Sequence, residues 1–189
     1  SNIEPFVTKK VTDKNEIKVD ANNVGLNFRE VSYDVNTYVS GGYKVNKLIF
    51  EDNLPTKYTT AVDKVSVHND KNEDLTALFD ITIDGNNKLT ATLKQDGKSE
   101  SDPRLMMTNV TLHIEGTYPQ WVGEVIPNEA TKTDDYYTNR SNVVTTTIPS
   151  EPGSVKEVSV DGGKTFNKAD TPETASEVMN RGDVYTWKV

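Results

Sequence analysis

Val31, Tyr33, Val35, Thr37 and Val39 alternate with Ser32, Asp34, Asn36 and Tyr38. A period of two turns one face of a strand inward and leaves the other in water. The same alternation recurs in shorter runs at Val45–Phe50, Lys64–Val67, Leu78–Ile83, Leu89–Leu93, Val110–Ile114, Trp121–Ile126 and Asn142–Ile148. Turn formers separate them: Gly41-Gly42, Asn53-Leu54-Pro55, Asp84-Gly85-Asn86-Asn87, Asp96-Gly97 and Asp102-Pro103,. Asp84–Asn87, between two alternating runs, predicts a hairpin. No long segment carries a helical stripe, although Asp70–Ala77 has room for one turn. The pattern predicts an all-β fold, an immunoglobulin-like antiparallel β-sandwich, with about eight strands in residues 5–149,.

Pro149-Ser150-Glu151-Pro152-Gly153 has the composition of a linker. Beyond it, Val155-Lys156-Glu157-Val158 echoes Val7-Thr8-Lys9-Lys10-Val11, and Tyr185-Thr186-Trp187-Lys188-Val189 echoes Val31-Ser32-Tyr33-Asp34-Val35. A repeated opening after a Pro-rich hinge predicts tandem modules. Residues 1–149 are expected to form one sandwich. Residues 150–189 are expected to hold the linker and first strands of a second, truncated module, or else a C-terminal extension of the first.

Composition narrows the function classes. The 189 residues carry a net charge of −8, and this acidity argues against a nucleic-acid binder, which needs a basic surface to displace counterions,. No apolar run approaches the ~20 residues of a membrane span. No secretion signal or anchor is expected within the sequence, and its Ser1-Asn2 opening fits a piece cut from a longer protein,. Cysteine is absent, so neither a disulfide nor a thiolate metal site is available,.

Strand parity singles out three polar residues. Val7, Lys9 and Val11 share one face of the first strand, and Leu48, Phe50 and Asp52 share a face of an early one. Asn142 falls in line with Val144, Thr146 and Ile148 on the last. A lysine on an apolar face is costly as a cation, and burial lowers a lysine pKa while raising that of an aspartate. A neutral Lys9 amine is a nucleophile, and a protonated Asp52 can polarise a side-chain amide. Attack on Asn142 would expel ammonia and leave a Lys9–Asn142 cross-link, formed once per molecule. Glu51 and Asp80 are competing acids, Asn139 is a competing amide, and Lys10 is a competing lysine that parity disfavours.

Lys9-Lys10-Val11-Thr12-Asp13, Val31–Val35, Leu48-Ile49-Phe50-Glu51-Asp52-Asn53-Leu54-Pro55 and Ser141-Asn142-Val143-Val144-Thr145 together resemble the isopeptide-forming modules of Gram-positive surface adhesins. The resemblance is strongest to the C-terminal stalk domains of the antigen I/II family and looser to fimbrial shaft domains. It covers roughly residues 5–149. It implies an extracellular, cell-surface stalk module that is not an enzyme, with Lys9 and Asn142 forming the bond and Asp52 assisting.

Neighbouring modules of the same chain are the expected partners, with a host protein or glycan as the alternative reading of function. Asp134-Asp135-Tyr136-Tyr137 and Tyr118-Pro119-Gln120-Trp121 are the candidate contacts for such a ligand. No nucleic acid or membrane partner is expected. No cofactor is called for, although Asp70-Lys71-Asn72-Glu73-Asp74 has the opening of a calcium loop. That loop lacks the required glycine, with Leu75 in its place, and the closing glutamate, with Ile81 in its place,. Arg181-Gly182-Asp183 reads as a strand-opening turn rather than an integrin ligand.

Overall fold

A computed structural model describes residues 6–13, 15–23, 29–153, 157–159, 167–168 and 186–188. Contacts divide the chain into two units, Ser1–Pro149 and Ser150–Val189.

In the first unit the described residues form thirteen strands. One five-stranded sheet runs β2 (Lys18–Val19), β1 (Val7–Thr12), β4 (Glu30–Val39), β9 (Thr108–Thr117), β6 (Val65–Asn69). A second runs β12 (Thr138–Arg140), β11 (Ala130–Asp134), β5 (Leu48–Asn53), β8 (Lys88–Leu93), β7 (Phe79–Ile83). A smaller sheet joins β10 (Glu124–Asn128), β13 (Val144–Ile148) and β3 (Ala21–Asn23). Pairing is antiparallel except between β13 and β3. The fold is an all-β sandwich.

Alternation builds the core. On β1, Val7, Lys9 and Val11 are buried, and on β5 so are Leu48, Phe50 and Asp52. Tyr33 and Val35 of β4 and Leu112 and Ile114 of β9 continue the inner layer. Each fully buried large apolar side chain contributes about 1.5–3 kcal/mol of transfer free energy. The rings of Tyr33, Tyr58 and Tyr118 pack at centroid distances of 5.1 and 5.0 Å. Gly116 is required beneath them: an added Cβ would lie 2.4 Å from Tyr58 Cζ and 2.6 Å from Thr59 O.

The predicted β7–β8 hairpin forms across Asp84–Asn87. Asp84 Oδ1 accepts from Asn86 N and Lys88 N, and Asn87 takes a left-handed φ of 62°. Four strands were not predicted. The sequences of β2, β3, β11 and β12 (Lys18–Val19, Ala21–Asn23, Ala130–Asp134, Thr138–Arg140) lack an apolar period. Tertiary pairing rather than local pattern makes them strands.

In the second unit, β14 (Glu157–Ser159) lies between β15 (Asn167–Lys168) and β16 (Thr186–Lys188), antiparallel to both. Lys156 and Arg181-Gly182-Asp183 lie outside the described residues. Among the described residues no helix is long and apolar enough to cross a membrane.

Candidate functional site

Lys9 and Asp52 meet in the core because parity turns both inward from facing sheets. Lys9 is 0 % exposed and Asp52 1 %. Lys9 Nζ donates to Asp52 Oδ2 and also to the side-chain oxygen of Asn128, which is 5 % exposed. The Asn128 amide nitrogen donates to Asp52 Oδ1 at 2.9 Å and to Asn53 O at 3.1 Å. The Tyr33 ring closes the site, its centroid 4.6 Å from Lys9 Nζ. Tyr33 is tied in turn to Tyr118 Oη at 2.5 Å and Thr146 Oγ1 at 3.3 Å.

Burial pulls the Lys9 ammonium below its ordinary pKa, against the opposing pull of the Asp52 carboxylate. Burial also pushes the Asp52 carboxyl up, outweighing Lys9 and Asn128. Both directions favour the uncharged pair, because the dry site penalises each ion. The Lys9 amine thus lies against the Asn128 side-chain amide with the Asp52 carboxyl group alongside both.

Asn142 is not in this site. Its side chain is exposed and meets the main chain of Lys9, with Oδ1 accepting from Lys9 N at 2.8 Å and Nδ2 donating to Lys9 O at 2.8 Å. Parity fails there because β13 begins at Val144, so Asn142 precedes the alternating ladder. The amide against Lys9 Nζ comes from Asn128, at the end of β10, where Ile126 and Asn128 both turn inward. The sequence signal was an alternation continuing through Pro127, which a strand at the end of its sheet tolerates,.

The competing residues are accounted for elsewhere. Glu51 pairs with Lys88 at 2.9 Å, Asp80 is exposed, and Lys10 pairs with Asp20 at 2.7 Å. Asn139 belongs to a second triad. Lys132, 3 % exposed, donates to Asp134 Oδ2 at 2.7 Å and Asn139 Oδ1 at 3.1 Å. There the electrostatics differ. Burial pushes the Asp134 carboxyl up, but Lys132 and the N–H groups of Tyr137 and Tyr136 outweigh it and hold the carboxyl below its usual range. Asp134 is thereby favoured as the carboxylate, the opposite of the direction at Asp52.

The chain matches the family described as cell surface antigen I/II C2 terminal domain over residues 7–148. It belongs to that family. Among solved structures, the C-terminal domain of the Streptococcus pyogenes antigen I/II-family protein AspA aligns with TM-score 0.63 and 21 % identity, covering 77 % of this chain and 47 % of that one. The C-terminal domain of the Streptococcus agalactiae antigen I/II polypeptide BspA aligns with TM-score 0.62 and 17 % identity, covering 76 % and 50 %. The major pilin SpaD of Corynebacterium diphtheriae aligns with TM-score 0.56 and 19 % identity, covering 87 % and 39 %. The chain thus spans about half the length of the antigen I/II structures it matches. No curated protein matches it.

Of the other antigen I/II-domain residues singled out above, Asp70 Oδ2 accepts from Asn109 N and Asp74 Oδ1 from Thr76 N, each at 2.9 Å. Among the described residues no group of three His, Asp or Glu converges to hold a metal. Tyr118 is a core residue rather than a surface contact, and Trp121 is half-buried beneath the Arg29 guanidinium at 5.1 Å. Tyr136 and Tyr137 are exposed.

Proposed function

We propose that this antigen I/II domain is a load-bearing stalk module of a Gram-positive surface adhesin, locked by an autocatalytic isopeptide bond between Lys9 and Asn128 with Asp52 as the acid–base group. The single observation that carries the reading is the buried contact of Lys9 Nζ with both Asp52 and Asn128. Lys9 Nζ attacks Asn128 Cγ, the Cγ–Nδ2 bond breaks, and ammonia leaves. One Asp52 oxygen lies on the attacking nitrogen and the other on the departing one. Asp52 can therefore accept the amine proton on Oδ2 and return a proton to the leaving nitrogen from Oδ1, ending unchanged. The products are one secondary amide and one ammonia.

Two further observations support the role. The bond closes a loop of 119 residues in a chain that has no cysteine, and such closure is worth ~5 kcal/mol by the chain-entropy model,. In the second unit β14 and β16 pair antiparallel as β1 and β4 do, which supports a repeated module in residues 150–189 and neighbouring modules as partners.

Intact mass of the purified protein tests the reading. The wild type should lack one ammonia, while Asp52→Ala and Asn128→Ala should have full mass. A wild type of full mass removes the bond. A ligand-binding role is favoured by one feature, a polar cleft of about 220 Å³ beside β4 and β11, walled by Tyr38, Lys44, Lys47, Asp135 and Tyr136. A glycan array probed with the wild type and Tyr136→Ala tests it, and identical signals from the two proteins exclude that cleft.

A further inference from the structure

Lys9 enters the site with its side chain, and its main chain is held from another direction. Within an antiparallel sheet the N–H and C=O of one residue point to the same side. At Lys9 both groups are taken by Asn142, at 2.8 Å each. The neighbouring residue does the same for the opposite strand. Ser141 N donates to Ala130 O at 2.8 Å, and Ser141 Oγ accepts from Ala130 N at 2.9 Å. Ala130 is two residues from Asn128. Adjacent residues thus grip both main-chain groups of Lys9 and of Ala130.

The grip is itself oriented. Ser141 Oγ donates to Asn142 O at 2.8 Å. Asp20 receives Thr145 N on its main-chain oxygen at 2.9 Å, and its Oδ1 lies 3.5 Å from Asn142 Nδ2. Asn142 Nδ2 therefore faces two acceptors, Lys9 O and Asp20, while Oδ1 faces a donor. A flipped amide would oppose all three.

We propose that Ser141 and Asn142 form a staple that ties Lys9 of β1 to Ala130, the first residue of β11 and two positions after Asn128, making them positioning residues for the Lys9–Asn128 condensation of the preceding section. Neither touches the reacting atoms. The staple acts by holding the amine against the amide carbon, and small displacements of reacting groups cost orders of magnitude in rate.

The test is the rate of ammonia loss from freshly synthesised chain, followed by intact mass. Asn142→Ala should cross-link about tenfold or more slowly than wild type. Tandem mass spectrometry should still find the bond between Lys9 and Asn128. Ser141→Ala, which keeps its main-chain bond to Ala130, should slow the reaction less. Asn142→Asp keeps the acceptor and regains the donor only when protonated, so its rate relative to wild type should rise as pH falls. The same ratio for Asn142→Ala should stay flat. Asn142 variants as fast as wild type, or an Asn142→Asp ratio that ignores pH, overturn the staple. A bond from Lys9 to Asn142 in the wild type overturns the assignment of Asn128 instead, and a wild type of full mass overturns the cross-link altogether.

Discussion

Placing the covalent tie at Asn128 rather than nearer the end of the sandwich has a mechanical consequence that can be measured. With the proposed bond in place, force entering through β1 would pass from Lys9 to Asn128, and the chain between them, 119 residues apart in sequence, would be shielded. At ~3.6 Å per residue that hides ~430 Å of contour length. The stretch from Asn128 to Ile148 stays in the load path. It holds β11, β12 and β13, and β13 is secured to β10 from Glu124↔Ile148 to Asn128↔Val144. Peeling it releases at most ~70 Å of contour. Single-molecule stretching between reference domains should show wild-type steps no longer than this from Val7–Ile148, whereas Asp52→Ala should release ~500 Å. A tie at Asn142 would leave only ~20 Å to release. Full-length unfolding of the wild type, or complete absence of any step beyond ~20 Å, would refute the reasoning.

Other consequences follow from the same geometry. Lys9→Met removes the bond without leaving an unpaired cation, and loss of ~5 kcal/mol of loop closure should lower the melting temperature by ~10–20 °C in calorimetry. The condensation needs one proton shared by Lys9 and Asp52, so its rate should be flat near neutral pH. It should fall in acid, where both groups hold protons, and in alkali, where neither does, as read by mass against time. Lys132→Met and Asn139→Ala should each still lose one ammonia, since the Asp134 carboxyl, held below its usual range, is poorly suited to supply a proton to a leaving nitrogen,. Gly116→Ala should destabilise the fold by ~1–3 kcal/mol in urea titration, because the new methyl meets Tyr58 and the Thr59 carbonyl,. The hydrogen bond to Asp34 raises the His113 pKa, so its stabilisation is complete below the ordinary value and is lost as pH rises through the raised one,. The melting-temperature gap between wild type and His113→Gln should therefore be wider at pH ~5.5 than at pH ~8.

Alternation made much of this legible in the sequence. It placed Lys9 and Asp52 inward because both lie inside strands, where side-chain direction is fixed by a period of two,. It failed at Asn142, two residues before β13, where no ladder constrains the side chain. It also stopped short at Pro127, although Ile126 and Asn128 keep the inward parity. Glu129 separates β10 from β11, which pair in different sheets, so Asn128 sits where the chain crosses between layers. That crossing is a tertiary event with no local pattern. The Ser141–Asn142 grip on Ala130 and Lys9 was invisible for the same reason, since its partners lie 11 and 133 residues away. The two lysine triads have the same residue types, and burial of the acid and its main-chain donors separate them.

The most direct measurement is peptide mapping of the purified wild type by tandem mass spectrometry. The account predicts one branched peptide joining Lys9 to Asn128, lacking one ammonia, with Asn139 and Asn142 in linear peptides. Recovery of Lys9 in an unbranched peptide with a free amine would contradict it.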